Sequence, residues 1–276
     1  MFSGPGVTTA AGPARAVQPA AHRPSARFLA DARTALVHYL RHDHQPADFV
    51  HRGRAGSIRG TTATSTFNWS GYADSATTDG AFTKVSGTWN TPKVTCTAED
   101  TITSEWVGID GFTSSTVEQD GTLDWCFEGT ATYFTWYEMY PAGTIEVGTS
   151  LAPGDSITAT VSRNGTNYTL SLTDAAHPAN SFSKTATCAA ATCLDTSAEW
   201  IAERPAFSIG IAPLADYITW KVTGATETAS GKTGTISSFS PNDVLTMVDA
   251  TDSYNLSTSS DLTTGNSFIT TWHNSY

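Results

Sequence analysis

The chain has 276 residues, 39% of them hydrophobic and only 15% charged, which is enough apolar content for a core and suits many short strands and turns better than long helices. No run of about 18 apolar residues occurs, so no helical membrane span is visible. The net charge of −11 is unevenly divided: residues 1–60 carry eight Arg and three Asp, whereas residues 61–276 carry seven Lys and Arg against 23 Asp and Glu. An acidic body argues against nucleic acid as its partner and suggests that the basic head binds the body itself.

Residues 1–25 are rich in Ala, Pro and Gly and read as disordered. Residues 25–41 carry Phe28, Leu29, Ala32, Leu36, Tyr39 and Leu40 near one stripe, with Ser25 placed as a cap, and predict a short amphipathic helix. Residues 51–60, H-R-G-R-A-G-S-I-R-G, form a basic, Gly-rich linker of the kind that proteases cut. The start, M-F-S-G-P-G-V-T-T-A-A, shows neither a charged n-region nor an apolar h-region of a signal peptide.

From residue 66 onward short strand patterns alternate with turns, which argues an all-β domain, assigned to 61–276, an antiparallel sandwich or barrel. The stretch 104–119, S-E-W-V-G-I-D-G-F-T-S-S-T-V-E-Q, reads as a strand, a Gly-containing turn and a second strand. Alternation puts Trp106, Gly108 and Asp110 on one face and Val107 and Ile109 on the other. In A-T-Y-F-T-W-Y-E-M-Y-P, Phe134, Trp136, Glu138 and Tyr140 share a face; in S-A-E-W-I-A-E-R-P, so do Glu199, Ile201 and Glu203. Ile157, Ala159 and Val161, the turn R-N-G-T-N, then Tyr168, Leu170 and Leu172 predict a hairpin. The four cysteines allow three pairings; proximity favours Cys188–Cys193, which leaves Cys96–Cys126. Two disulfides place the protein in an oxidising compartment, so secretion is expected despite the start of the chain.

A serine triad is disfavoured, because the body holds only His177 and His273 and no G-x-S-x-G. Metal-binding patterns such as H-E-x-x-H are missing too, so neither metal nor cofactor is expected. The remaining chemistry is carboxylates and amides on aromatic strand faces: Trp106, Asp110, Gln119, Glu138, Glu199 and Glu203. A carboxylate there can act as general base or acid, and an amide can donate to an oxyanion. These residues leave open a peptidase that activates water, a carbohydrate-binding or glycoside-hydrolysing sandwich with a carboxylate pair, and a non-enzymatic surface module.

The ordered blocks N-W-S-G-Y (68–72), V-S-G-T-W-N-T-P (85–92), W-V-G-I-D-G (106–111), V-E-Q-D-G (117–121), W-Y-E-M-Y-P (136–141) and A-E-W-I-A-E-R-P (198–205) resemble the glutamic peptidases, or eqolisins. The resemblance implies a concanavalin-like β-sandwich of two packed, curved antiparallel sheets, and endopeptidase activity at acidic pH without a metal. It assigns the catalytic dyad to Gln119 and Glu203, with Trp106, Asp110 and Glu138 lining the same cleft and Trp69 and Trp136 supporting it. Phe134 stands where some fungal members carry an Asp. In this light residues 1–60 are a propeptide that binds its own catalytic domain, cut between 51 and 66. The expected partners are protein or peptide substrates, and the expected state is a monomer.

Overall fold

Beta-branched and aromatic residues alternating with Ser, Thr and Gly give strands nearly throughout. The computed structural model describes residues 46–52, 61–207 and 210–276; the helix expected at 25–41 lies outside the described residues. The strands begin with β1 (Phe49–Arg52), β2 (Thr61–Thr66), β3 (Trp69–Ser75), β4 (Phe82–Asn90), β5 (Thr101–Ile109), β6 (Val117–Phe127) and β7 (Thr130–Tyr140). They continue with β8 (Ile145–Gly148), β9 (Ser156–Asn164), β10 (Asn167–Asp174), β11 (Phe182–Thr187), β12 (Ser197–Glu203), β13 (Ala206–Phe207) and β14 (Gly210–Ile211). The last five are β15 (Thr219–Ala229), β16 (Lys232–Thr235), β17 (Asn242–Val248), β18 (Asn255–Ser259) and β19 (Phe268–Trp272). No helix among the described residues is long and apolar enough to cross a membrane.

Two curved layers result. The first runs β8-β7-β6-β5-β12-β3-β17-β2-β1, antiparallel except for the parallel pair β17–β2. The second runs β11-β10-β9-β4-β15-β16, antiparallel throughout, and contains the hairpin expected around 164–167. The layers are not separate sheets. Thr219–Val222 of β15 pair with β19, which reaches the first layer through β18, while Thr223–Ala229 pair with β4 of the second. One hydrogen-bonded network of 17 strands therefore folds over on itself.

Val85 and Trp89 of β4, Val107 and Ile109 of β5, Ile157, Ala159 and Val161 of β9, and Leu170 and Leu172 of β10 meet in one core cluster between the layers. Each such aliphatic side chain contributes about 1.5–3 kcal/mol by leaving water. Gly71 on β3 is fixed by closeness. Its φ is +140°, and a Cβ there would lie 2.0 Å from the carbonyl oxygen of Trp200 on β12. Gly71→Ala is expected to cost about 3 kcal/mol, read as a lower urea midpoint at unchanged m-value.

Both expected disulfides are present, Cys96–Cys126 and Cys188–Cys193. The first ties the β4–β5 connection to β6 across a separation of 30 residues, worth about 4 kcal/mol on loop entropy. Part of the head is woven into the body: β1 pairs antiparallel with β2, Phe49 opposite Thr66 and Arg52 opposite Thr64.

Candidate active site

The registers of β3, β12, β5, β6 and β7 decide which side chains meet on the outer face of the first layer. Trp106 on β5 lies opposite Ile201 of β12 and Gly121 of β6. Two residues along, Gly108 lies opposite Glu199 and Gln119, and Gln119 lies opposite Glu138 of β7. Two residues back, Ser104 lies opposite Glu203, which pairs on its other side with Trp69 of β3. Residues i and i+2 of a strand share a face, so Trp69, Trp106, Gln119, Trp136, Glu138 and Glu203 all project from one side. The face is not solvent-washed: Gln119 and Glu203 are 0% exposed and Glu138 is 1%. Ala47, Phe112 and Ala212 pack against the Trp69–Trp106–Trp136 cluster that surrounds them.

Trp106 spans the two ends of this face. Its Nε1 donates to Glu203 Oε2 at 2.8 Å. The far edge of the indole lies over Gly108, where a Cβ would come within 2.8 Å of Trp106 Cζ3. Gly121 makes room on the next strand, since a Cβ there would lie 2.6 Å from Trp106 Cβ and 2.1 Å from the Glu105 carbonyl. The edge of Trp69 fixes the ring from the side, with centroids 4.8 Å apart at 79°. The spacing W-x-G thus has a steric cause: a larger residue at 108 would tilt the indole off Glu203.

At the other end, Gln119 Nε2 donates to Glu138 Oε2 at 2.8 Å, and Thr144 Oγ1 donates to Glu138 Oε1 at 3.1 Å. These bonds fix the amide so that Gln119 Oε1 is left buried without a partner. A buried carbonyl oxygen with an open lone pair is a place for a water or a substrate N–H.

Asp110 behaves differently. At φ +70° it leaves the strand, and its carboxylate accepts from the backbone N–H of Asp195 at 2.7 Å and of Thr196 at 2.9 Å. It fastens the approach to β12 onto the end of β5 and makes no hydrogen bond to Gln119 or Glu203. Its bonds tie the residues just before β12, the strand that carries Glu203, to the end of β5.

The reverse side of the same strands carries a set of acids that face the second layer. Glu105, Glu118, Asp120 and Asp124 are each 0% exposed. Burial pushes Glu105 up to about 8, against the lowering effect of its bonds from Thr122 and Thr103. Burial, then the nearby Asp110, pushes Glu118 up to about 9. Asp120 and Asp124 are raised by burial too, Asp124 also by Glu105. Glu118 Oε1 lies 2.9 Å from Cys193 Sγ; a disulfide sulfur has no hydrogen to give, so the proton of that contact belongs to the carboxyl. Asp74 and Glu227 form a further buried pair, raised by burial, with Glu227 brought to about 8.

Among the described residues three groups have spacing for a cation: Asp155–Asp174–His177, Asp110–Glu118–Asp195, and Glu118–Cys188–Cys193, whose sulfurs are in a disulfide. In the first, Ala152 N–H and His177 Nδ1 bond to Asp155, and Ala176 N–H, His177 N–H and Asn180 Nδ2 bond to Asp174. In the second, Asp110 holds backbone amides, and Asp195 takes Tyr168 Oη at 2.5 Å and Arg163 Nε at 3.1 Å. Protein donors already engage the aspartates of these two groups, and Glu118, though next to Gln119 in the chain, projects from the opposite face of β6.

Solved structures share this architecture. Scytalido-glutamic peptidase, crystallised with a transition state analog inhibitor, superposes with a TM-score of 0.62 at 23% identity, covering 75% of this chain and 98% of that one. Aspergilloglutamic peptidase from Aspergillus niger gives a TM-score of 0.52 at 26% identity, covering 63% and 99%. The Peptidase A4 family profile matches residues 67–272, and the chain belongs to that family. Among named relatives, aspergillopepsin-2 of Aspergillus niger is 31% identical over 142 residues, 49% of each protein. Scytalidopepsin B of Scytalidium lignicola is 35% identical over 127 residues, 44% of this chain and 46% of that one. The chain thus spans about half the length of the curated relatives it matches.

Proposed function

We propose that this protein is an acid-acting glutamic endopeptidase in which Gln119 and Glu203 form the catalytic dyad. The observation that carries the reading is the shared face: Glu203, bonded by Trp106, and Gln119, bonded by Glu138, project from one side of the sheet with the indole between them. Glu203 as carboxylate takes a proton from a water whose other hydrogen points at Gln119 Oε1. The water oxygen attacks the scissile carbonyl carbon, and the second N–H of Gln119 donates to the oxyanion that forms. Glu203 then returns the proton to the leaving nitrogen, the C–N bond breaks, and a carboxylic acid and an amine leave. Trp106 holds the base, and Glu138 with Thr144 holds the amide.

Residues 1–60 fit a prosegment: basic, joined by an Arg- and Gly-rich linker, and set against an acidic body. The two disulfides fit secretion, and the protein is read as a monomer acting on protein or peptide substrates. The test is digestion of casein or albumin at about pH 3–4, with and without pepstatin, beside a polysaccharide panel. Proteolysis that pepstatin leaves untouched is expected; sugar release without proteolysis would overturn the reading.

A further inference from the structure

We propose that the Asn68 side chain, the Phe67 N–H and the Gly111 carbonyl form a subsite for an extended peptide backbone, filled in the full chain by Pro46–Asp48 and open to substrate when that segment leaves. The substrate half of this proposal rests on the peptidase reading above. Asn68 is 1% exposed, and both ends of its amide go to one short segment. Oδ1 accepts from Asp48 N–H at 2.8 Å, and Nδ2 donates to the Pro46 carbonyl at 3.2 Å. Phe67 N–H donates to the Asp48 carbonyl at 2.8 Å, and Ala47 N–H donates to the Gly111 carbonyl at 3.1 Å.

Every one of these four bonds ends on a backbone atom of the segment, so none of them depends on its side chains. An amide that reaches residues i and i+2 of an extended chain acts as a strand edge, the mode by which sheets add a peptide. The place is next to the dyad. Asn68 precedes Trp69, which pairs with Glu203, and the Asn68 carbonyl accepts from Arg204 N–H at 2.9 Å. Gly111 abuts Trp69, since a Cβ there would lie 3.0 Å from Trp69 Cη2. The bonds define the ligand. Its first residue offers only a carbonyl, so proline is accepted there. Its second and third must carry N–H groups, and the second, Ala47 here, is small and packs on the aromatic cluster.

The probe is a fluorescently labelled H-Q-P-A-D-F-V peptide, the sequence of residues 44–50, titrated into the full chain. Ala47→Pro in the protein removes the donor to Gly111 from the built-in occupant and should raise affinity for the added peptide at least tenfold over the unaltered chain. Placing proline at the alanine of the peptide should cost at least tenfold, as should Asn68→Ala in the Ala47→Pro background. Equal affinity of the two chains, or undiminished binding of the proline peptide, overturns the clamp; the peptide change needs no refolded variant. In the proteolysis assay the peptide should inhibit the Ala47→Pro protein competitively; binding without competitive inhibition overturns the shared subsite. Proteolysis missing from every variant while the peptide still binds overturns the peptidase reading and supports the backbone clamp.

Discussion

Exchanging Glu203 for glutamine is expected to lower kcat for acid proteolysis about a thousandfold while the fold persists. The replacement is nearly isosteric, so the Trp106 N–H still finds an oxygen at the position of Oε2, but no base remains to take the proton of the attacking water. Gln119→Ala is expected to cost about 10²–10³ in kcat with little change in KM, because its second N–H is used on an oxyanion that exists only after attack. Glu138→Gln separates positioning from chemistry. It replaces one acceptor with a donor facing Gln119 Nε2 or Thr144 Oγ1, so the Gln119 amide turns, and kcat should fall by less than in Gln119→Ala. Steady-state kinetics on a quenched peptide, with circular dichroism to check folding, decides all three. Substantial activity in Glu203→Gln or Gln119→Ala would sink the dyad.

Raising the pH is expected to unfold the protein from inside. Glu105, Glu118 and Glu227 hold their protons in the fold to about 8, 9 and 8, and Asp74, Asp120, Asp124 and Glu199 are raised as well, burial being the leading cause in each. An unfolded chain releases those protons near pH 4. Between about pH 4 and 8 the folded state therefore binds more protons than the unfolded one, and stability falls as pH rises. It is fully present below about pH 4 and levels off only above the folded values. Two such groups already remove about 3 kcal/mol per pH unit, and a domain holds only about 5–15 kcal/mol in all. Thermal midpoints should thus drop steeply from pH 4 to pH 8, and Glu105→Gln with Asp124→Asn should flatten the slope. A pH-independent midpoint would show that these carboxyls are solvated or paired.

Much of the site was legible in the chain because it obeys the two-residue period of a strand. The shared faces of Trp106 with Gly108, of Trp136 with Glu138, and of Glu199 with Glu203 follow from alternation, and the registers bring those faces side by side. Which strands are neighbours did not follow from alternation. Glu203 lies 84 positions after Gln119, and only the insertion of β12 between β3 and β5 brings them to one face. Asp110 shows where periodicity ends: a residue at positive φ no longer points where its neighbours predict. The acids behind the site were hidden for another reason. Glu118, Asp120 and Asp124 alternate like an outward polar face, yet the second layer covers them. Asn68 read as part of a short block around Trp69, and its fork around Pro46–Asp48 needed coordinates to be seen.

The strand that belongs to both layers has a mechanical consequence. Because β15 is stitched to β19 at one end and to β4 at the other, neither layer can swing away from its partner without tearing a shared seam. A fold built on two independent leaves could open like a book. This one has a fixed saddle, so access to its outer face depends on the segments that lie against that face and not on the layers parting.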